Sequence, residues 1–143
     1  MKKLILSNSS VGTHYENITR NAESAISIKY LLGKIGSTQD KIDICGSSDL
    51  AIGVITDEAG IGEDVNVALL GAPDTLNVVA SGAISAVTLI VPDSGGKVKA
   101  IPAAGESDAT YNVVGIALTS ASSDGDIIEF VSCVPQQHVV AAA

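Results

Sequence analysis

Residues 51–69 decide the fold class: Ala51-Ile52-Gly53-Val54-Ile55-Thr56 is a short apolar run, Asp57 to Asp64 is a polar segment with two glycines, and Val65-Asn66-Val67-Ala68-Leu69 alternates. A short apolar run bounded by turn residues is typical of a buried strand, and alternation is typical of a strand with one buried face. The stretch therefore predicts a strand, a loop and a second strand.

Similar runs lie on both sides of this stretch. Short apolar or alternating segments between Ile26 and Cys133 predict about nine strands, separated by Gly, Pro, Asp and Ser. Among them, residues 26–32 are predicted as a strand and residues 33–41 as a turn region. This spacing is typical of an all-β sandwich or barrel. An α/β fold is disfavoured, because only residues 16–25 are compatible with a helix, and there a short helix is expected.

Composition divides the chain into three parts. Residues 1–25 are mostly polar and are predicted to form an N-terminal arm, partly extended. Residues 26–135 predict a single β domain, either a small β-barrel or a β-sandwich, because strand pairing is not visible in a sequence. Pro135 is predicted to end the last strand, so residues 136–143 are expected to be a C-terminal tail.

The strand–loop–strand pattern occurs twice. Ala51-Ile52-Gly53-Val54 and Asp64-Val65 correspond to Val113-Val114-Gly115-Ile116 and Asp126-Ile127, 62 residues later. Upstream, residues 41–44 resemble residues 97–100, 56 residues later. Either the chain contains an internal duplication, or hairpins have produced a chance likeness. In both copies the glycine predicts a bulge or a close backbone approach, and the aspartate predicts a hydrogen bond to its own loop.

The composition excludes several classes of function. The chain has 8 basic and 16 acidic residues, a net charge of −8, and only 3% aromatic residues. Nucleic-acid binding is not expected, because phosphates select clustered Lys and Arg, and bases stack on aromatic rings. No membrane association is expected either, since no apolar run approaches the length of a spanning helix. The run Leu4 to Leu6 is too short for a signal peptide.

The residues that enzymes use are scarce. The only histidines, His14 and His138, lie near opposite ends of the chain, which leaves little for a histidine-based triad. The sequence lacks a G-x-S-x-G elbow and a phosphate-binding loop. We therefore expect no catalytic residues, no bound cofactor and no enzymatic activity.

Metal binding is not expected. Cys45 and Cys133 have no second Cys or His at ligand spacing, so both are predicted to be free thiols among apolar residues. The acidic pairs Glu63-Asp64 and Asp124-Gly125-Asp126 have no EF-hand spacing, and acids in loops are usually solvated.

Strings along the chain resemble the capsid cement, or head-decoration, proteins of tailed bacteriophages. The resemblance covers about Ile18 to Val134, and its strings include Tyr30-Leu31-Leu32, Ile44-Cys45-Gly46-Ser47-Ser48-Asp49, Val65 to Gly71, Val79 to Ile84, and Val114 to Leu118 with Ser123 to Asp126. It implies a small all-β protein without catalytic residues that forms trimers on the outer surface of the mature head. There it would bridge neighbouring major capsid proteins.

Two sets of residues follow as candidate contacts. The N-terminal arm stands apart from the predicted core and is the expected capsid-binding part, through Lys2, Lys3, Leu4, Ile5, Leu6 and Val11, by strand addition to a capsid edge. Apolar stretches in the strands are expected at the contact within the homotrimer: Leu69, Leu70, Val78 and Val79.

A second class of function stays open. A small β-rich module of a phage fibre or cell surface would bind a ligand or glycan in a concave site with a few convergent polar groups. The scarcity of aromatic residues argues against this alternative, because sugar sites normally offer aromatic platforms.

Overall fold

The computed structural model describes residues 16–143, and its fold is all-β, which confirms the predicted class. The described part contains ten strands and one three-residue 3-10 turn, Ser94–Gly96. The strands are β1 Asn17–Ala22, β2 Leu31–Ile35, β3 Lys41–Ile44, β4 Gly53–Ile55, β5 Asp64–Leu69, β6 Thr75–Val79, β7 Leu89–Pro92, β8 Val98–Ala100, β9 Ala109–Ala117 and β10 Ile127–Val140. Within residues 16–143, no helix has the length and apolarity needed to cross a membrane.

The first five strands, here called the first unit, form a closed barrel in the order β1-β3-β2-β4-β5. All neighbours are antiparallel except β1 and β3, which run parallel through the pairs Asn21–Lys41 and Ala22–Ile42. Pairing of β1 with β5 closes the ring. The sequence left open whether the domain is a barrel or a sandwich, and this unit is a barrel.

The last five strands, the second unit, repeat this arrangement. Their order is β6-β10-β9-β7-β8. The closed ring of the first unit has the matching order β1-β5-β4-β2-β3 when it is followed from β1 in the opposite direction. The parallel pair Ala22–Ile42 of the first unit has its counterpart in the single parallel bridge Ala80–Val98. The second unit is therefore a curled sheet of the same topology, closed by one residue pair.

Loops repeat as well as strands. Ile26 bridges Ala59 in the first unit, and Ile84 bridges Ala121 in the second. Tyr30 and Val87, at equivalent places, both adopt the left-handed backbone region, with φ values of 67° and 63°. This region is uncommon for residues other than glycine. The repeat that the sequence predicted over residues 51–69 therefore coincides with a repeat of topology across both units.

The equivalent loops are closed by an acidic side chain before the second strand of each copy. Asp126 accepts hydrogen bonds from the backbone N–H groups of Ser122 and Ser123, at 2.8 and 3.1 Å. In the first unit this role belongs to Glu63, which accepts from the N–H of Gly60, and not to the predicted Asp64. One extra loop residue in the second unit shifts the correspondence by one position.

The hydrophobic core consists of two clusters. The smaller fills the first unit with Ala22, Ile26, Ile42, Ile55, Val65 and Val67. The larger joins both units: Leu32 and Val54 of the barrel pack in one cluster with Val78, Ile90, Ile128 and Phe130 of the second unit. Phe130 is the largest of the fully buried side chains in the described residues. Because most core side chains are small aliphatics, the strands pack closely.

Two glycines within strands permit this close packing. A Cβ atom at Gly53 would overlap the carbonyl oxygen of Ala68, and one at Gly115 would overlap that of Val131 and lie 2.8 Å from the ring of Phe130. The close backbone approach predicted for these two positions is therefore present in both units.

Two elements near the start of the described chain differ from the predictions. The prediction of a helix within residues 16–25 is wrong, because Asn17–Ala22 is a strand. Its residues are mostly polar, but they pair with β5 and complete the barrel. The strand expected over residues 26–32 begins only at Leu31, since Tyr30 has a positive φ, and it continues to Ile35.

The last strand extends through residues assigned to the tail. Pro135 does not end β10, which continues to Val140, because the register shifts between Ser132 and Gln136 and leaves Pro135 in an irregular position without a ladder partner. Proline is tolerated at such bulges because no ladder hydrogen bond is lost there.

Replacement of Gly115 tests the close approach. We expect Gly115→Ala to lower the free energy of unfolding by about 3 kcal/mol or more, because the new methyl group displaces a backbone carbonyl in a filled core. Gly82→Ala is the matched control: nothing lies within 4 Å of the added methyl, so the change should stay below about 1 kcal/mol. Urea unfolding followed by circular dichroism measures both, and equal effects would contradict the argument.

Acid should weaken the fold through carboxylates that accept hydrogen bonds from loop residues. Backbone hydrogen bonds from Ser122 lower the pKa of Asp126, and the Ser37 hydroxyl lowers that of Glu23. Because these pKa values are lower in the folded chain, the stabilisation is complete above the unfolded values, about 4, and is lost as the pH falls through the folded values. Asp126→Asn should flatten the acid dependence of the unfolding free energy, whereas Glu58→Gln, at an exposed position, should leave it as in the unmodified chain.

Candidate interaction surface

The residues predicted for the trimer contact lie in the interior instead. The side chains of Leu70, Val78 and Val79 are buried, and Leu70 and Val78 belong to the core cluster that joins the two units. Leu69 is half-buried in β5. A side chain that is buried within one chain is not available to a second copy, so Leu70, Val78 and Val79 stabilise the fold of the single chain.

The residues predicted to bind the capsid lie outside the described part of the chain. Lys2, Lys3, Leu4, Ile5, Leu6 and Val11 all precede Glu16, where the description begins. Their role remains a prediction.

The acidic side chains and thiols do not form a metal site in the described part. Among residues 16–143, no three His, Cys, Asp or Glu side chains are grouped so that they could hold a metal ion. Both cysteines are free, with Cys45 buried and Cys133 partly exposed. Burial raises the pKa of Cys45 to about 11 and also raises that of Cys133, so both thiols are protonated at neutral pH.

The outer face of the second unit carries an exposed row of apolar side chains. Leu89 of β7 lies opposite Ile116 of β9, and Ile116 lies opposite Val131 of β10, so the three form one row across neighbouring strands. Directly opposed residues of an antiparallel pair share one face of the sheet. Ile116 is 41% and Val131 47% exposed, whereas Ile90, Ile128 and Phe130 of the same strands are buried on the inner face.

A groove runs beside this row. Its volume is about 310 Å³, and its lining is mainly apolar. The side chains that line it include Leu89, Ile116, Val131, Cys133, Gln136 and His138.

The two longest strands extend beyond the rest of the sheet as a ribbon, and Gln136, Gln137 and His138 of this ribbon also line the groove. Residues 136–140 of β10 pair with residues 109–113 of β9, beyond the point where β10 pairs with β6 and β9 pairs with β7. Within the described pairings, both outer edges of this ribbon are therefore open. Val139, on the ribbon, is 59% exposed.

The charge pattern of this surface differs from that of the rest of the chain. Charged residues make up 17% of the sequence, yet residues 109–123 and 130–143 contain no Asp, Glu, Lys or Arg. We call the row Leu89, Ile116 and Val131, together with the ribbon, the neutral face. The lack of charge in the two segments is visible in the sequence, but which of their side chains share the outer face follows only from the pairing of β9 with β10.

A second concavity has the opposite character. It has a volume of about 400 Å³ and a lining dominated by polar groups, and it lies between the ribbon and the loop after β3. Ser47, Lys99, Thr110, Tyr111, Asn112 and Gln137 contribute to its walls. Hydroxyl and amide groups around one aromatic ring are suited to hydrogen bonding with a polar ligand.

Comparison with known proteins identifies a similar fold. Neither a protein-family model nor a curated protein matches this chain. Among solved structures, the chain is similar to the N base of the head fiber protein gp8.5 of bacteriophage phi29, with a TM-score of 0.62 and 16% sequence identity. The alignment covers 84% of this chain and 95% of the phi29 chain. At this identity, the similarity shows that the two chains share a fold.

Proposed function

We propose that this protein is a structural protein of a phage head, and that it binds the major capsid protein on the outer surface of the mature capsid. The observation that carries the proposal is the shared fold with the base of a head fiber, which covers almost all of that chain. The strings that resemble capsid cement proteins support the same assignment from the sequence. The proposal includes no catalytic activity.

The more specific role that we propose is stabilisation of the head. A packaged capsid resists outward pressure from its DNA, and a protein that contacts two capsid subunits at once strengthens their junction. Single contacts of this kind are weak, but many copies on one lattice, each held at more than one point, add to a large total through multivalency. Two five-stranded units joined by one core provide the stiffness that such a bridge requires.

The test is reconstitution on undecorated heads. Purified protein is mixed with heads of the encoding phage that were assembled without it, and the mixture is imaged and then heated. The proposal predicts added density on the outer surface and a higher temperature of capsid rupture. Added density without a gain in heat resistance would contradict the stabilising role and leave an attached head protein. No added density would contradict the proposal as a whole.

Capsid attachment through the N-terminal arm is a separate part of the proposal. Deletion of Lys2 to Thr13 should reduce binding to undecorated heads at least about tenfold, because strand addition needs the backbone and side chains of that segment. A variant with the same residues in scrambled order is the control for length and charge. Deletion without loss of affinity would show that another surface makes the contact.

The polar concavity favours a second candidate function. A cleft of about 400 Å³ lined by Tyr111 and by hydroxyl and amide side chains could bind a glycan, as a module of a phage fibre would. Glycan screening with the intact protein tests this candidate. Saturable binding that is lost in Tyr111→Ala, and retained in Tyr30→Phe as a control outside the cleft, would favour it over the head-stabilising role.

A further inference from the structure

The polar cleft between the ribbon and the loop after β3 contains hydrogen-bonding groups that the fold does not use. Six hydroxyl and amide side chains line it: Ser47, Ser48, Thr110, Tyr111, Asn112 and Gln137. No side-chain hydrogen bond joins any of these six to another of residues 16–143. Exposed hydroxyls elsewhere in the second unit are used by the fold, since Ser122 bonds to Asp126 and Thr119 to Glu129. Polar groups that converge on a concavity and lack partners are characteristic of a ligand site.

The ribbon brings complementary groups together at this cleft. Asn112 of β9 lies directly opposite Gln137 of β10, and directly opposed side chains share one face of an antiparallel pair. Each amide offers two N–H donors and a carbonyl acceptor, and Tyr111 adds a hydroxyl and an aromatic ring. The hydroxyl groups of a sugar both donate and accept, so they match this set. The cleft volume of about 400 Å³ is within the range of small-molecule sites, roughly 300 to 1,000 Å³.

Lys99 of β8 carries the only charge among the side chains that line the cleft. Its ammonium lies 3.6 Å from Oδ1 of Asp93, which is longer than a usual N–H···O hydrogen bond of about 2.9 Å. The Asp93 carboxylate already accepts from the Ser81 hydroxyl at 2.7 Å and from the N–H of Ser94 at 2.9 Å. Lys99 is therefore loosely paired, and its ammonium can donate to a bound ligand.

The carboxylates that border the cleft in the sequence are engaged elsewhere. Asp49 pairs with Lys34 at 2.8 Å, and Asp108 accepts from the N–H of Ala142. The side chains that line the cleft thus carry one positive charge and no negative charge, which favours an anionic ligand over a neutral one. The net charge of −8 opposes an anion at long range, but charges farther away than about 8 Å are largely screened at physiological ionic strength.

A single lysine also limits which anion fits. Nucleic acids select clusters of Lys and Arg, and planar recognition of phosphate favours Arg. One ammonium beside hydroxyl, amide and aromatic groups is suited to one carboxylate on a polyhydroxy ligand. The charge and the hydrogen-bonding groups of the cleft therefore indicate the same class of ligand.

We propose that the polar cleft binds a saccharide that carries one carboxylate. The Lys99 ammonium binds the carboxylate, and the hydroxyl and amide groups of the ribbon bind the hydroxyls of the sugar ring. The inference rests on glycan binding, the second candidate function, and names the class of sugar that the cleft selects. A single site of this kind is weak, but many copies on one particle add their contacts through multivalency.

Titration of the full chain, followed by amide NMR signals, tests the proposal. The probes are two oligosaccharides, one ending in glucuronic acid and one in sialic acid, each compared with a counterpart in which the carboxylate is converted to a carboxamide. At least one acid should bind saturably and at least about tenfold more tightly than its carboxamide, because its contact with Lys99 is charge-assisted. The signals that shift should be those of residues 97–100, 109–113 and 136–138, which surround the cleft.

Three variants separate the role of the charge from that of the fold. Lys99→Gln should remove the preference, so that acid and carboxamide bind alike, and it should stay folded because a partly exposed ion pair contributes little to stability. Lys29→Gln is the matched control, since it makes the same change in net charge at an exposed lysine outside the cleft, and it should keep the preference. Tyr111→Phe should weaken both probes by a similar factor, because it removes a hydroxyl and leaves Lys99 in place.

Two results would overturn the inference and leave glycan binding in place. One is equal binding of acid and carboxamide by the unmodified chain. The other is an equal loss of preference in Lys99→Gln and Lys29→Gln, because the net charge rather than the cleft would then decide. If no saccharide binds, both the inference and the glycan candidate are rejected, whereas attachment to the head is tested separately by reconstitution.

Discussion

The structure depends on the close approach of neighbouring strands at two glycines, Gly53 and Gly115. At both positions a methyl group would collide with a carbonyl oxygen across the ladder. A core with one phenylalanine and no tryptophan cannot span wide gaps, so its small aliphatic side chains fill the interior only if the strands lie close together. The in-strand glycines permit this, and the same solution occurs in each five-stranded unit.

The two units are held together by a shared core and by backbone hydrogen bonds. Phe130 and Ile128 of the second unit pack in one cluster with Leu32 and Val54 of the first. The N–H of Val79 donates to the carbonyl of Tyr30 across the junction, at 3.0 Å. Burial of apolar area in one continuous cluster couples the units, so their inner faces are fixed, and the outer face of β9 and β10 remains available for binding.

Local patterns predicted the fold class, the interior strands and the repeat, because alternation and turn residues report which face of a strand is buried. They did not predict β1, because its polar residues form a strand only through pairing with β5. They also did not predict that β10 continues past Pro135, because this depends on an irregularity in the ladder. The same limit applies to the candidate site. Val78 and Val79 are apolar in the sequence whether they face a core or a partner, and only the packing distinguishes the two.

The central claim is that the two units of like topology form one rigid body that presents a binding surface. Native-state hydrogen exchange in increasing denaturant tests it most directly, by comparing the most protected amides of β3 and β5 with those of β9 and β10. If the shared core couples the units, both groups exchange through one global opening with the same free energy and the same denaturant dependence. If one unit opens at a free energy lower by several kcal/mol while the other stays protected, the units are independent, and the account is contradicted.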